Sequence, residues 1–60
     1  MNLSKFDGKK VFVIDTDNKK NEGLVNLYIP AKDNDIDEDC IGLDNGMGFY
    51  ESDIKSIEEI

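Results

Sequence analysis

The sequence predicts an all-β fold: a single small barrel of five short strands over residues 1–60. Valine and isoleucine, which favour strands, occupy ten of the 60 positions. Gly, Pro, Asn and Asp divide the apolar residues into short runs, as in proteins built from short strands and turns. No long segment carries apolar residues at helical spacing. A chain of this length buries only about 60% of its unfolded surface, which leaves room for one domain.

The first predicted strand, residues 9–15, is the clearest of the five. It is short, and it contains the β-branched and aromatic run from Val11 to Ile14. Apolar residues on both of its faces favour a strand covered on two sides, as in a small closed barrel. The polar segment that follows, residues 15–21, predicts a turn because its Asp and Asn side chains can bond the nearby backbone.

The second predicted strand spans residues 22–29 and ends at Pro30, which cannot donate a ladder hydrogen bond. Gly23, near its start, indicates a bend or a close backbone approach. Simple alternation places Tyr28 on the face opposite Val25. If that face is outward, Tyr28 and Pro30 form a shallow recognition edge. The ordinary alternative is a tyrosine ring packed on the barrel rim.

A third and a fourth strand are predicted at residues 40–43 and 47–50. The pair Asn45-Gly46 lies between them and predicts a two-residue hairpin turn, because Asn-Gly supplies both positive-φ positions of such a turn. Residues 31–39 precede the third strand as a long acidic loop. The sequence therefore predicts an irregular acidic connection followed by a tight hairpin.

The last ten residues are compatible with two structures. Ile54, Ile57 and Ile60 are three residues apart, which suits one face of a helix. The segment is short, rich in isoleucine and without a good pair of helix caps. These features favour a turn at Ser52 and Asp53 followed by a fifth strand, with a short helical turn near the C terminus as a further element.

The composition excludes several kinds of chemistry. The chain has no His, no Arg and a single cysteine, Cys40, so it has no histidine for catalysis or metal binding, no arginine phosphate clamp and no internal disulfide. Neighbouring carboxylates disfavour the Cys40 thiolate, which favours a small, partly buried residue over a nucleophile. No catalytic motif or Gly-rich phosphate loop is present. We therefore expect no enzyme activity, no cofactor and no metal.

The acidic loop carries alternating carboxylates, a pattern that can wrap a hard cation such as calcium. The calcium loop of helix-loop-helix proteins needs Gly at its sixth position and usually Glu at its twelfth. Counted from Asp33, those positions hold Glu38 and Asp44. The sequence therefore favours a solvated acidic loop over a calcium site.

Targeting signals are also missing from the sequence. The longest apolar run has four residues, whereas a signal peptide needs about 7–15 and a membrane span about 20. A lone cysteine fits a reducing compartment. We expect a cytoplasmic protein that begins at Met1 and has no contact with membranes.

Five pieces of the sequence follow one another in a recognisable order: GKKVFV at residues 8–13, EGLV at residues 22–25, Asp33-Asn34, IGL at residues 41–43 and FYESDIKSI at residues 49–57. Their order resembles the Sm-like variant of the SH3-like barrel. In that family a glycine placed like Gly23 bends the second strand, and an Ile-x-x-Ile pair like Ile54 and Ile57 closes the barrel. The chain also resembles short uncharacterised bacterial proteins of this fold.

The resemblance implies RNA binding, but two departures disfavour it. Where Sm proteins carry a basic residue and glycine between the last strands, this chain has Glu51, Ser52 and Asp53. Acidic residues also follow Asn34, the position that would contact a base. The net charge is −7, and neutralisation of phosphates by cations drives nucleic-acid binding. RNA binding would therefore need a site formed by Asn34 and four lysines, or a ring of several copies of the chain. The lysines concerned are Lys9, Lys10, Lys19 and Lys20.

The leading hypothesis is therefore a noncatalytic interaction module that binds a protein partner. Residues 33–60 hold ten acidic residues and one lysine, so this half of the chain favours a basic partner surface. RNA binding is the first alternative, and an acidic inhibitor or nucleic-acid mimic is the second. The assembly state is left open. The predicted partner contacts are Tyr28, Pro30, Asp33, Asn34, Asp35 and Asp37.

Overall fold

Five strands make up the fold in the computed structural model, which describes residues 2–60. They are β1 (Lys10–Asp15), β2 (Lys20–Ile29), β3 (Cys40–Leu43), β4 (Gly48–Tyr50) and β5 (Ile54–Glu59). Short 3-10 turns lie at Ser4–Phe6, Ala31–Asp33 and Glu51–Asp53. None of residues 2–60 lies in an α-helix, so the predicted all-β class is confirmed. The prediction of a short turn and a final strand at the C terminus is also confirmed.

The strands form one open antiparallel sheet in the order β4-β3-β2-β1-β5. The long strand β2 connects its two parts: the first half of β2 pairs with β1 and the second half with β3. Within residues 2–60, the outer edges of β4 and β5 pair with no further strand. The closed barrel that the sequence predicts is therefore not formed by strand pairing. Closure would require a ladder between these two edge strands.

A β-bulge at Asn26 divides β2 into its two halves. Val25 is opposite Leu43, but Leu27 is opposite Gly42, so β2 advances by two residues where β3 advances by one. One extra residue in a strand moves every later side chain of that strand to the opposite face of the sheet. Tyr28 consequently packs against the core on the same side as Val25, while Leu27 is 50% exposed. The predicted placement of Tyr28 opposite Val25 is wrong, because strict alternation fails at a bulge.

The core includes two residues that precede β1, besides residues of the strands. Leu3 is fully buried, and Phe6 of the first 3-10 turn is 7% exposed. These two side chains belong to one buried cluster with residues from all five strands. The remaining buried members are Val11, Val13, Val25, Ile41, Leu43, Phe49 and Ile54, with Tyr28 and Ile57 packed against them.

Both hairpins of the sheet have three-residue loops. In the first, the Asp15 amide donates to the Lys19 carbonyl at 2.9 Å, and Asn18 has a positive φ of 63°. In the second, the Leu43 amide donates to the Met47 carbonyl at 2.7 Å, and Gly46 has a φ of 90°. A three-residue loop with its last residue left-handed is a common hairpin connection.

The second hairpin therefore differs from the predicted two-residue turn. Only Gly46 has a positive φ, whereas the predicted turn needs Asn45 in that region as well. The Asn45 side chain instead accepts a hydrogen bond from the Met47 amide at 2.9 Å and donates to the Glu22 carbonyl at 3.2 Å. These contacts hold the hairpin tip against β2.

The hairpin tip also explains the glycine in β2. A Cβ atom on Gly23 would lie 2.7 Å from Oδ1 of Asp44 and 3.4 Å from Cβ of Leu43. The same Asp44 oxygen accepts a hydrogen bond from the Leu24 amide at 3.1 Å. Gly23 is therefore a point of close approach, as one of its two predicted roles requires, but the approaching atoms belong to side chains and not to another backbone.

Candidate interaction surface

The acidic loop, residues 31–39, is held in shape by the side chain of Asn34. Its amide nitrogen donates to the carbonyl of Pro30 at 3.4 Å and to the carbonyl of Glu38. Its Oδ1 accepts a hydrogen bond from the Ile36 amide at 3.1 Å. The polar groups of Asn34 are thus engaged inside the loop, which explains why an Asn follows the 3-10 turn. This predicted contact residue positions its neighbours.

Asp39 joins the loop to the rest of the domain. Its carboxylate accepts hydrogen bonds from the amides of Leu3 at 3.2 Å and Ala31 at 3.0 Å. Its own amide donates to Oε1 of Glu51 at 2.9 Å, and the Glu51 amide donates to the Asp39 carbonyl at 3.1 Å. The N-terminal segment, the loop and the end of β4 therefore meet at this residue. The sequence offered no signal for this role beyond one more carboxylate in the loop.

Tyr28 lies beside Asp39. Burial raises the pKa of the Tyr28 phenol, and the negative charge of Asp39 and a hydrogen bond to it raise the pKa further. The ring packs against the core. Tyr28 is therefore half-buried on the core side of the sheet, and partner contact through it and Pro30 stays a prediction.

The predicted acidic contacts are displayed on the surface of the loop. Asp33, Asp35 and Asp37 are exposed, and Ile36 between the last two is 47% exposed. Asp37 has a φ of 58°, which turns the chain back towards β3. Within residues 2–60, no three Cys or carboxylate side chains are grouped so that they could hold a metal ion.

The second half of β2, together with β3 and β4, forms a face without charged residues, which we call the outer face. It lies opposite the buried residues of the same strands, such as Ile41 and Phe49. Its members pair across the strands in two rows of three. The first row is Leu27, Gly42 and Gly48, and the second is Ile29, Cys40 and Tyr50.

An uncharged outer face is unusual in this protein. The solvent side of an antiparallel sheet is ordinarily polar, and 35% of the residues in this chain are charged. Leu27 is 50% exposed and Tyr50 is 37% exposed. Sequence reasoning missed this face because the bulge brings Leu27 and Ile29 onto it. The alternate residues of β3 and β4, which carry no charge, were the available signal.

The shape of the outer face depends on its two paired glycines, Gly42 and Gly48. A Cβ atom on Gly42 would lie 3.2 Å from Cβ of Leu27, so the leucine side chain leans over that glycine. A Cβ atom on Gly48 would meet only the Ile41 carbonyl, at 3.7 Å. The outer face therefore has a depression at Gly48, where no side chain projects, and the side chains of Leu27 and Tyr50 project on either side of it.

Carboxylates border one end of the outer face. Oδ2 of Asp53 accepts a hydrogen bond from the Tyr50 amide at 3.1 Å. Burial raises the pKa of the Cys40 thiol, and the charge of Asp53 adds to this effect. Oε1 of Glu38 accepts a hydrogen bond from the Ser52 amide at 2.8 Å. The row that ends at Tyr50 therefore lies next to the acidic loop and the last 3-10 turn.

The lysines of the RNA-binding alternative are exposed but do not converge. Lys10 is opposite Leu24, whereas Lys20 is opposite Ile14 at the other end of the first hairpin. Four residues of strand separate the two ends, which is about 13 Å. Lys9 and Lys19 are next to them in the chain, one at each end. RNA binding stays a prediction.

One small open cavity lies between the first hairpin loop and β4. Its volume is about 210 Å³, and its lining includes Asp15, Asp17, Asp53, Met47 and Phe49. Sites for small molecules usually enclose about 300–1,000 Å³. The outer face is therefore the more prominent candidate for recognition.

Comparisons of the chain with protein-family models, curated proteins and solved structures find no match. Among residues 2–60, no helix has the length and apolar character needed to span a membrane.

Proposed function

We propose that this chain is a noncatalytic interaction module that binds a protein partner through its outer face and the neighbouring acidic loop. The uncharged outer face is the observation that carries this proposal. Each Å² of apolar surface removed from water contributes about 25 cal/mol, so exposed leucine and tyrosine side chains favour a covered state. Contiguous exposed apolar surface with a polar rim is typical of protein-binding sites.

Tyr50 has the properties of a contact residue that Tyr28 lacks. It is 37% exposed and lies at the edge strand β4. Tyrosine offers a large contact area at a low entropic cost, and it is enriched where binding energy concentrates. The predicted contacts Asp35 and Asp37 lie on the adjoining loop. Tyr50 thus replaces Tyr28 in the proposed interface.

We also propose that the domain is an SH3-like barrel of the Sm-like kind, working in the cytoplasm. The strand order β4-β3-β2-β1-β5 and the 3-10 turn before the last strand support this assignment. The division of β2 between two partners supports it as well. A solution structure that contains a ladder or close packing between β4 and β5 would establish closure.

Affinity capture from a lysate of the source cells tests the proposed function. The immobilised wild type is compared with Leu27→Ser and with Tyr50→Ser. Ile60→Ser is the matched control, because Ile60 is 55% exposed and lies beyond the end of β5. We expect the first two variants to lose a protein that the wild type and the control both retain. Equal retention by all four proteins would contradict the proposed interface.

A further inference from the structure

We propose that the partner segment lying on the outer face is an amphipathic α-helix with basic residues at the end that faces the acidic loop. This inference rests on the proposed function and names the chemistry of the partner. Three features of the outer face carry it: its width, the state of the β4 edge and the charges at one end.

The width of the outer face matches a single helix. Its two rows each cross three neighbouring strands, β2, β3 and β4. Adjacent strands are about 4.8 Å apart, so a row spans about 10 Å. An α-helix with its side chains has a diameter of about 10–12 Å. The depression at Gly48, between the projecting side chains of Leu27 and Tyr50, can accommodate a row of apolar side chains from a helix.

The edge of β4 offers little to an added strand. Hydrogen bonds join Leu43 to Met47 and Asp39 to Glu51, and bonded pairs alternate along antiparallel strands. The backbone groups of Gly48 and Tyr50 therefore point to the free edge. The Tyr50 amide already donates to Asp53. An extended peptide would find a complete donor and acceptor pair only at Gly48, so a helix on the face is favoured over strand addition.

The charges near the outer face indicate that the contacting surface of the partner is positively charged. Asp53 and Glu38 border the row that ends at Tyr50, and Asp35 is exposed on the adjoining loop. The acidic loop carries one exposed lysine, Lys32, against five carboxylates. The next lysine in the chain, Lys55, donates from its Nζ to Oδ1 of Asn18 at the first hairpin, 2.7 Å away. A helix with Lys or Arg at this end would meet carboxylates, whereas an acidic helix would be repelled.

Four synthetic peptides test the inference in NMR titrations of the isotope-labelled protein. The first is a Leu/Lys peptide of about 18 residues patterned as an amphipathic helix, long enough to fold on contact. The second is a scrambled peptide of the same composition. The third replaces Lys by Glu, and the fourth alternates Leu and Lys as in a strand. Affinities for wild type, Leu27→Ser and Ile60→Ser are measured at the same salt concentration.

We expect the first peptide to bind best and to shift the amide signals of Gly42, Gly48 and Tyr50. We expect Leu27→Ser to weaken its binding by about tenfold or more, with Ile60→Ser unchanged. Equal binding of the scrambled peptide would overturn the inference, since attraction would then depend on charge alone. Tighter binding of the alternating peptide, or no shift on the outer face with any peptide, would also overturn it. Lysate capture that still depends on Leu27 and Tyr50 would then leave the proposed function standing.

Discussion

Asn34 illustrates how a single side chain shapes the loop of the candidate interface. Its amide bonds two carbonyl groups and its oxygen bonds the Ile36 amide, so it replaces backbone pairing that the loop lacks. Asn side chains commonly stabilise irregular loops in this way. The carboxylates of Asp35 and Asp37 are consequently displayed on an ordered loop.

Asn34→Ala should destabilise the domain by about 1–3 kcal/mol, because two part-buried carbonyls lose their hydrogen-bond donor and the exposed Ile36 amide loses its acceptor. The measurement is the free energy of unfolding in urea. Asp33→Ala is the matched control, since Asp33 is exposed and one residue away, and it should change the free energy by less than about 0.5 kcal/mol. Equal effects of the two variants would contradict the role given to Asn34.

Tyr28 gives the protein a pH-dependent contribution to stability in the alkaline range. Folding raises the pKa of its phenol above the ordinary value of 10.0, through burial and through Asp39. The folded state therefore holds this proton more tightly than the unfolded state, and the contribution falls as the pH rises. It is fully present below pH 10 and is lost as the pH rises through the pKa of the folded state.

The stability difference between the wild type and Tyr28→Phe should therefore shrink as the pH rises above 10. Urea unfolding of both proteins at a series of pH values measures this difference. Every other ionisable group is common to both proteins, so its contribution cancels in the comparison. A difference that stays constant from pH 8 to the highest pH at which both proteins fold would show that Tyr28 makes no such contribution.

At the scale of the elements, β2 is the strand that organises the fold. It pairs with β1 through its first half, bulges at Asn26 and pairs with β3 through its second half. Its position and its terminating Pro30 could be read from the sequence. The bulge could not, because it depends on which residue of β3 lies opposite, and no local propensity encodes that.

A substitution at Gly23 tests how closely β2 packs against the second hairpin. Gly23→Ala should destabilise the domain by about 1–2 kcal/mol, because the new methyl group displaces the Asp44 carboxylate from the Leu24 amide. Gly48→Ala is the matched control: the nearest atom to its methyl group would be 3.7 Å away, in ordinary contact. We expect Gly48→Ala to be neutral or slightly stabilising. Urea unfolding compares the two, and similar losses would argue against the close approach at Gly23.

At the scale of the whole molecule, charge opposes folding. A chain of 60 residues with a net charge of −7 brings many carboxylates together when it becomes compact. Salt screens such repulsion, since the Debye length falls from about 30 Å at 0.01 M to about 3 Å at 1 M. The same charge makes a cationic partner favourable and keeps the acidic-inhibitor hypothesis open to competition experiments.

Added NaCl should therefore stabilise the protein, by on the order of 1 kcal/mol between 0.01 M and 0.5 M. The unfolding midpoint in urea is measured across this range, and KCl serves as the control for ion-specific effects. Asp35→Asn, which removes one exposed charge, should reduce the response to salt. A midpoint that falls with salt would mean that attractive ion pairs outweigh the repulsion.

The sequence by itself determined the all-β class, the places of the turns, the acidic character and the final strand. Each of these depends on local properties, namely turn propensity, β-branched composition and formal charge. Only the tertiary structure decided that Tyr28 faces the core and that Leu3 is buried in it. It also decided that Asp39 joins the N-terminal segment, the acidic loop and the end of β4. It also decided that six uncharged residues share the outer face. These features depend on pairing between residues distant in the chain, and a shift of one residue in that pairing exchanges what is buried for what is exposed.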